Sequence, residues 1–259
     1  MIRRLAEKGY VPEVKVNKQD PGPTLCKKRR RFCEVHKSKT PTQWKEYLQA
    51  CGDFKEFTFY PADLKPRHKK LRARWTYMKK DEKYKPAFVR PKRWFKKKDY
   101  KRTTKQKIFG LTTSAGKVLA LAMPKPLTAD VWAKFLKGKV IPFLRRQFPN
   151  REQIRILLDG ESTLRAKECK KIMKDAGVVF LDNWVAHSPE LNPQENCWPI
   201  SEKALRNLES DGDTFDDFKA HCVEAVKAYE QNSGAKKLVP SMAGRIKECL
   251  QNKGGMIRR

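Results

Sequence analysis

No stretch of this 259-residue chain approaches the roughly 20 consecutive apolar residues that a membrane span requires. The N-terminus also lacks the apolar core of a signal peptide, so a soluble, unsecreted protein is expected and no membrane partner is. Cysteine occurs seven times, at positions 26, 33, 51, 169, 197, 222 and 249, but never as CxxC and never with an accompanying histidine spacing. Zinc ligation is therefore not expected. An odd number of scattered thiols fits free buried side chains in a reducing compartment better than a disulfide scaffold. Acid is the other shortage: 29 Asp+Glu stand against 59 Lys+Arg, a formal net charge of +30. That is far more than solubility requires and implies a polyanionic partner. Nucleic acid is the first choice, because each Lys or Arg that neutralises a phosphate releases condensed counterions.

The basic charge is unevenly placed. Residues 1–107 hold 34 Lys+Arg and 11 Asp+Glu, leaving 25 and 18 for residues 108–259. Within the first half, residues 61–107 carry 20 basic and 4 acidic side chains, interleaved with Trp75, Tyr77, Tyr84, Phe88, Trp94, Phe95 and Tyr100. Cations beside aromatics suit a surface that tracks phosphates and stacks bases or sugars. The candidate DNA contacts there are Lys69, Lys70, Arg72, Arg74, Arg93, Lys96, Lys97 and Lys98. The plainer alternative is a solvated basic helix whose aromatics anchor it to the core. A second group of candidates is the run Lys27, Lys28, Arg29, Arg30 and Arg31. Such a run serves as a phosphate-contacting face or as a nuclear import signal, and a nuclear location is expected on that basis.

Residues 1–22 read as a broken helical fragment and a loop with the turn-forming Asp20-Pro21-Gly22-Pro23 cluster. Residues 24–37 read as a helix with Leu25, Phe32 and Val35 on one side. Thr40-Pro41 is a helix start, with Thr as cap and Pro at the first position, and Trp44, Tyr47 and Leu48 form the apolar stripe. Strand patterns follow: Phe57 and Phe59 alternate with polar neighbours, and residues 108–113 and 118–123 form a hairpin around Ser114-Ala115-Gly116. Thr128 caps a helix to about Phe148. Residues 154–158 are a short buried strand that ends on Asp159. Helices are predicted over 162–176, closed by Gly177, and over 193–208, with a strand at 178–181 between them. Two more helices fill 214–252. The pattern predicts an α/β fold: a mixed sheet flanked by helices, with a basic insertion after the first strand and a helical C-terminal extension.

Three acids stand where such a sheet would present charge. Asp53 lies at the start of the first strand pattern, Asp159 at the end of a buried strand, and Glu195 near the start of a helix. Taken singly, a strand-end aspartate is more often an ordinary turn or cap residue. The string His187-Ser188-Pro189-Glu190-Leu191-Asn192-Pro193-Gln194-Glu195-Asn196-Cys197-Trp198 changes their weight. It resembles the signature of the mariner transposases, in which Ser-Pro-Asp-Leu-Asn-Pro introduces the helix bearing the last catalytic acid. Leu157-Leu158-Asp159 is similar to that family's second acid, and the 35 residues between Asp159 and Glu195 fit its spacing. Residues 40–47 followed by Cys51-Gly52-Asp53 resemble the Trp-containing helix that feeds the first catalytic Asp, with Asp63 as the competing position. Ser241-Met242, Arg245-Ile246 and Lys253-Gly254-Gly255 resemble the family's terminal helix and tail.

The resemblance implies a ribonuclease H-like fold, Asp53, Asp159 and Glu195 as metal-binding catalytic residues, and Mg2+ or Mn2+, two ions, as cofactor. It implies phosphodiester hydrolysis and strand transfer at transposon ends. Double-stranded DNA is the expected partner, with a homodimer as the assembly this allows. Residues 1–40 would be the remnant of an N-terminal DNA-binding region with a basic linker helix, and 41–259 the catalytic domain, with 61–107 its basic insertion. Specific end recognition is expected to be absent, as in a fragment or a decayed or domesticated copy. The rival function is accordingly a noncatalytic, nonspecific DNA-binding protein. Two positions depart from the family pattern. Glu161 adds an acid beside Asp159, which either alters metal affinity or simply favours a helix N-terminus. Pro199, inside a helix begun at Pro193, would remove the bond to the Glu195 carbonyl and kink the helix at the carboxylate.

Overall fold

The computed structural model describes residues 10–14, 21–60, 75–79, 103–158, 166–210 and 212–257. In chain order its main elements are β1 (Tyr10–Val14), α1 (Pro23–His36), α2 (Pro41–Tyr47), β2 (Ala50–Phe59), β3 (Trp75–Lys79), β4 (Thr104–Thr113) and β5 (Val118–Met123). Then come α3 (Ala129–Phe135), a π-helical segment (Leu136–Val140), α4 (Ile141–Gln147), β6 (Ile154–Leu158), α5 (Lys167–Asp175), β7 (Val178–Phe180), α6 (Cys197–Leu208), α7 (Phe215–Lys227) and α8 (Met242–Gln251).

Five strands form one sheet in the order β5-β4-β2-β6-β7. The β2/β4 and β4/β5 pairs are antiparallel, and β2/β6 and β6/β7 are parallel. This is the mixed sheet the sequence predicts, and helices cover both of its faces. Because strand side chains alternate between faces, neighbouring residues enter different cores. Ala50, Phe109, Leu111, Ile156 and Leu158 pack with Trp132, Leu136, Leu144 and Met173 of α3, the π segment, α4 and α5. Cys51, Phe57, Ile108 and Leu157 pack on the other side with Trp198, Phe218, Cys222 and Ile246 of α6, α7 and α8. Phe32, Cys33 and Trp44 of α1 and α2 belong to that second core, so the helix read as a linker is packed into the body of the domain.

Local chemistry explains the boundaries. Thr40 and Gln43 form a capping box at α2, as the Thr-Pro pair predicts. The hairpin turns at Gly116, whose φ of 84° suits a residue without Cβ. Thr128 caps α3, accepting a hydrogen bond from the Val131 N–H at 3.3 Å. The helix continues to Gln147 but passes through the π segment just before Pro142, a residue that an unbroken α ladder would not accommodate.

Several expectations are corrected. Tyr10–Val14 is a strand, paired antiparallel with Trp75–Lys79, and not part of a helical fragment. Val35 is 55% exposed, and the buried stripe of α1 is Arg29, Phe32, Cys33 and His36 at helical spacing. The basic stretch assigned to the insertion overlaps β4, which already starts at Thr104. The helix predicted over 162–176 is described from Lys167, and residues 159–165 lie outside the described residues.

Candidate active site

The centre of the sheet places the first acid. Asp53 is the fourth residue of β2 and shares its strand face with Cys51 and Phe57, the side covered by α6 to α8. Its cross-strand partner on β4 is Gly110. On the other side β2 runs parallel to β6, and the register ends with Gly52 opposite Leu158. Asp53 and Asp159 are thus the residues that directly follow the last paired positions of two neighbouring parallel strands. Asp159 itself lies outside the described residues, as do Asp63 and Glu161. Gly52 packs tightly where it stands: a Cβ there would come within 2.7 Å of the Leu158 side chain and 3.1 Å of Leu111, so those side chains would have to shift.

The Asp53 carboxylate is half-buried, and both oxygens have protein donors. Oδ1 accepts from the Phe54 N–H at 2.7 Å, and Oδ2 accepts from the Trp198 indole N–H at 3.4 Å. Trp198 is three residues beyond Glu195, so a single helical turn links the first and third acids.

The segment carrying Glu195 is built as two short 3-10 turns, Pro189–Leu191 and Pro193–Asn196, leading into α6. Asn192 joins them. Its Oδ1 accepts from the Gln194 N–H at 3.1 Å, and its amide nitrogen donates to the Gly52 carbonyl at 3.5 Å, the residue before Asp53. Gln194 is fully buried, and a Cβ on Gly110 would lie 3.1 Å from its amide nitrogen. Glu195 follows, half-buried. The predicted kink is corrected here. The α-helix begins at Cys197, which leaves Pro199 in its first turn, where the missing N–H has no intrahelical partner to lose.

Glu190, at the position where the family string has Asp, turns inward. Its carboxylate accepts from the buried guanidinium of Arg29, and its carbonyl accepts from Arg245. Arg29 also donates to the Gly255 carbonyl at 2.9 Å, and Arg245 to the Ser241 hydroxyl at 3.2 Å. The three side chains are buried. This fastens the Glu195 segment to α1 and α8 at once. Sequence reasoning missed both arginines as supports of the site. The DNA contact expected of Arg29 is corrected: a side chain 1% exposed and bonded to Glu190 and Gly255 does not reach a phosphate. The available signal was its place three residues before Phe32 and seven before His36, on the buried stripe of α1. Lys27, Lys28, Arg30 and Arg31 are exposed, as a phosphate-contacting face requires. Lys69, Lys70, Arg72, Arg74, Arg93, Lys96, Lys97 and Lys98 lie outside the described residues.

Among the described residues no group of three His, Cys, Asp or Glu side chains could hold a metal ion. Asp53 and Glu195 supply two carboxylates on neighbouring segments, and their hard oxygens are the donors that Mg2+ and Mn2+ take. These two donors are of the kind such an ion takes, and Asp159 follows Leu158 in the sequence.

A mixed five-stranded sheet with helices on both faces and Asp53 on its central strand is the arrangement of a ribonuclease H-like α/β protein. The match to known proteins agrees. The family model described as DDE superfamily endonuclease matches residues 67–219, and the chain belongs to that family. Among solved structures, the catalytic domain of Mos1 mariner transposase superposes with a TM-score of 0.59 at 13% identity, covering 94% of this chain and 100% of that one. The Mos1 transposase paired-end complex with left transposon end gives a TM-score of 0.64 at 15% identity, covering 98% and 69%. The mariner Mos1 paired end complex with Mg gives 0.62 at 16%, covering 99% and 71%. At these identities the likeness is one of fold. No curated protein matches the chain by sequence.

Proposed function

We propose that this chain is the catalytic core of a mariner-superfamily DNA transposase, cutting and joining phosphodiester bonds with Asp53, Asp159 and Glu195 as ligands of two Mg2+ or Mn2+ ions. One observation carries the proposal: the parallel register of β2 and β6 ends one residue before Asp53 and one before Asp159, while Asn192 and Trp198 dock the Glu195 segment onto the same point. Such ions, when bound as a pair, stabilise charge on the attacking and leaving oxygens of an in-line displacement.

The chain's own residues do the positioning. The Phe54 N–H and the Trp198 indole orient Asp53, Asn192 holds the Glu195 turn against β2, and the Arg29–Glu190–Arg245 cluster keeps that turn from shifting. The exposed cations of α1, with the basic residues of 61–107, supply phosphate contacts to double-stranded DNA. Water attacks first to free a 3'-hydroxyl, which then attacks target DNA at the same site. The fold likeness to Mos1 transposase, known as a paired-end complex with transposon end and as one with Mg, supports this reading. A homodimer pairing two ends and a nuclear location, from the Lys27–Arg31 run, complete the proposal.

The test is nicking of duplex DNA with Mg2+ or Mn2+. Wild-type chain is expected to nick, and Asp53→Asn, Asp159→Ala and Glu195→Gln to lose activity by at least about 100-fold, the scale for a group acting only in the transition state. An Asp159→Ala chain that cleaves as well as wild type refutes the assignment. Salt-sensitive DNA binding with no cleavage by any form would instead establish the noncatalytic DNA-binding protein.

A further inference from the structure

We propose that Trp198 is a positioning residue for the metal-binding acids, its indole N–H fixing the Asp53 carboxylate from the first turn of α6, directly after the 3-10 turn that carries Glu195. The proposal deepens the metal-site reading above and rests on it. Trp198 is 2% exposed, and its ring is seated from two directions. Phe57 of β2 meets it edge-on, with ring centroids 6.4 Å apart and planes at 79°. Beneath it lies Gly110, where a Cβ would come within 2.6 Å of Cη2, so β4 leaves that space to the ring. Gly110 is also the cross-strand partner of Asp53. The socket for the ring and the strand that bears the acid are therefore paired neighbours, and the indole N–H meets Oδ2 while Oδ1 is taken up by the Phe54 N–H.

The consequence is geometric. A carboxylate with a donor on each oxygen keeps one rotamer, and its remaining lone pairs keep one direction, which a ligating acid needs from its supporting residues. A shift of the Pro193–Asn196 turn that displaced Glu195 would act on the first turn of α6, which follows it directly, and so on the indole at Asp53. Trp198 is thereby one of the contacts, with Asn192, that tie the Glu195 segment to the strand bearing Asp53. A ring that merely filled space would make the N–H dispensable, and Phe in its place separates the two roles.

The experiment titrates Mn2+ alone into the full chain and counts free ion by its electron paramagnetic resonance signal, with thermal melting in the absence of metal as the check on folding. Wild type is expected to bind, Asp53→Asn to lose binding, and Trp198→Phe to stay folded with a dissociation constant raised about tenfold, the lower end for losing a ligand's support. A folded Trp198→Phe chain with wild-type affinity overturns the positioning role and leaves the metal site standing. A wild-type chain that takes up no Mn2+, or an Asp53→Asn chain that binds normally, overturns the metal-site reading and this proposal with it. Should Trp198→Phe not fold, the 15N indole resonances of the six tryptophans decide the matter on wild type and Asp53→Asn. The Trp198 resonance is expected to move on Asp53→Asn and to broaden first with Mn2+, and its indifference to both overturns the proposal.

Discussion

The two faces of the sheet are built from different materials. Under α3, the π segment, α4 and α5 the filling is apolar, with Trp132, Leu136 and Leu144 closing over Phe109, Leu111 and Leu158. Under α1, α2 and α6 to α8 an apolar core of similar kind is threaded by buried polar groups: Arg29, His36, Ser188, Glu190, Asn192, Gln194, Ser201 and Arg245. Apolar packing is non-directional and tolerates rearrangement, whereas a buried polar group is stable only with its partners in place. The first face holds the sheet together. The second fixes where particular atoms lie, and it is the one that carries Asp53 and Glu195.

The largest expected effect comes from breaking the arginine cluster. Arg29→Met would leave the Glu190 carboxylate buried without its ion partner, a loss of about 3–5 kcal/mol in urea unfolding. The double variant Arg29→Met, Glu190→Leu should recover much of that, because no buried charge is then left unpaired. Leu136→Ala, fully buried on the other face, should cost about 2–5 kcal/mol. Only the cluster variants should also change the Mn2+ affinity of the molecules that remain folded. Equal changes in both would erase the distinction between a packing face and a positioning face.

The second effect is a pH dependence confined to the polar face. His36 is buried among Phe32, Trp44 and Tyr47, and burial, reinforced by Lys39, pushes its pKa down from 6.5 to about 4. The unfolded chain takes up this proton near pH 6.5 while the folded chain does not. The neutral imidazole therefore contributes fully above pH 6.5, and its contribution is lost as pH falls from there towards about 4. The loss amounts to about 2–3 kcal/mol across that window. His36→Phe, of similar volume, should flatten this part of the stability curve. A variant with the same slope as wild type would assign the dependence to other groups.

How much of this could be read from the sequence follows the same division. Short apolar runs mark β5, β6 and the hairpin, and Thr40-Pro41 and Thr128 mark their helix starts, because these signals are local. The string from Ser188 to Trp198 pointed to Glu195. What stayed hidden was long-range. In Lys27-Lys28-Arg29-Arg30-Arg31 five cations look alike, yet the helix turns one of them inward to a carboxylate 161 residues away. Pro199 is disruptive only in a helix that starts at Pro193. The observed 3-10 turn delays the α-helix to Cys197 and makes the same proline harmless.

The smallest effect has the opposite sign and sharpens the comparison most directly. Gln194 is completely buried, and among the described residues neither its amide oxygen nor its amide nitrogen has a hydrogen-bond partner. A buried amide left unsatisfied costs about 1–3 kcal/mol, so a face selected for packing alone would carry an apolar side chain here. Gln194→Leu should accordingly raise stability by about 1 kcal/mol, read as a higher urea midpoint with an unchanged slope. The amide stands between Gly110, the partner of Asp53, and Glu195, the next residue in the chain. Polar atoms retained at a stability loss in such a place belong to the site, and the same variant should nick DNA more slowly while folding more firmly. A less stable Gln194→Leu chain would mean that the amide has partners after all, and a more stable chain with full activity would return Gln194 to the packing face.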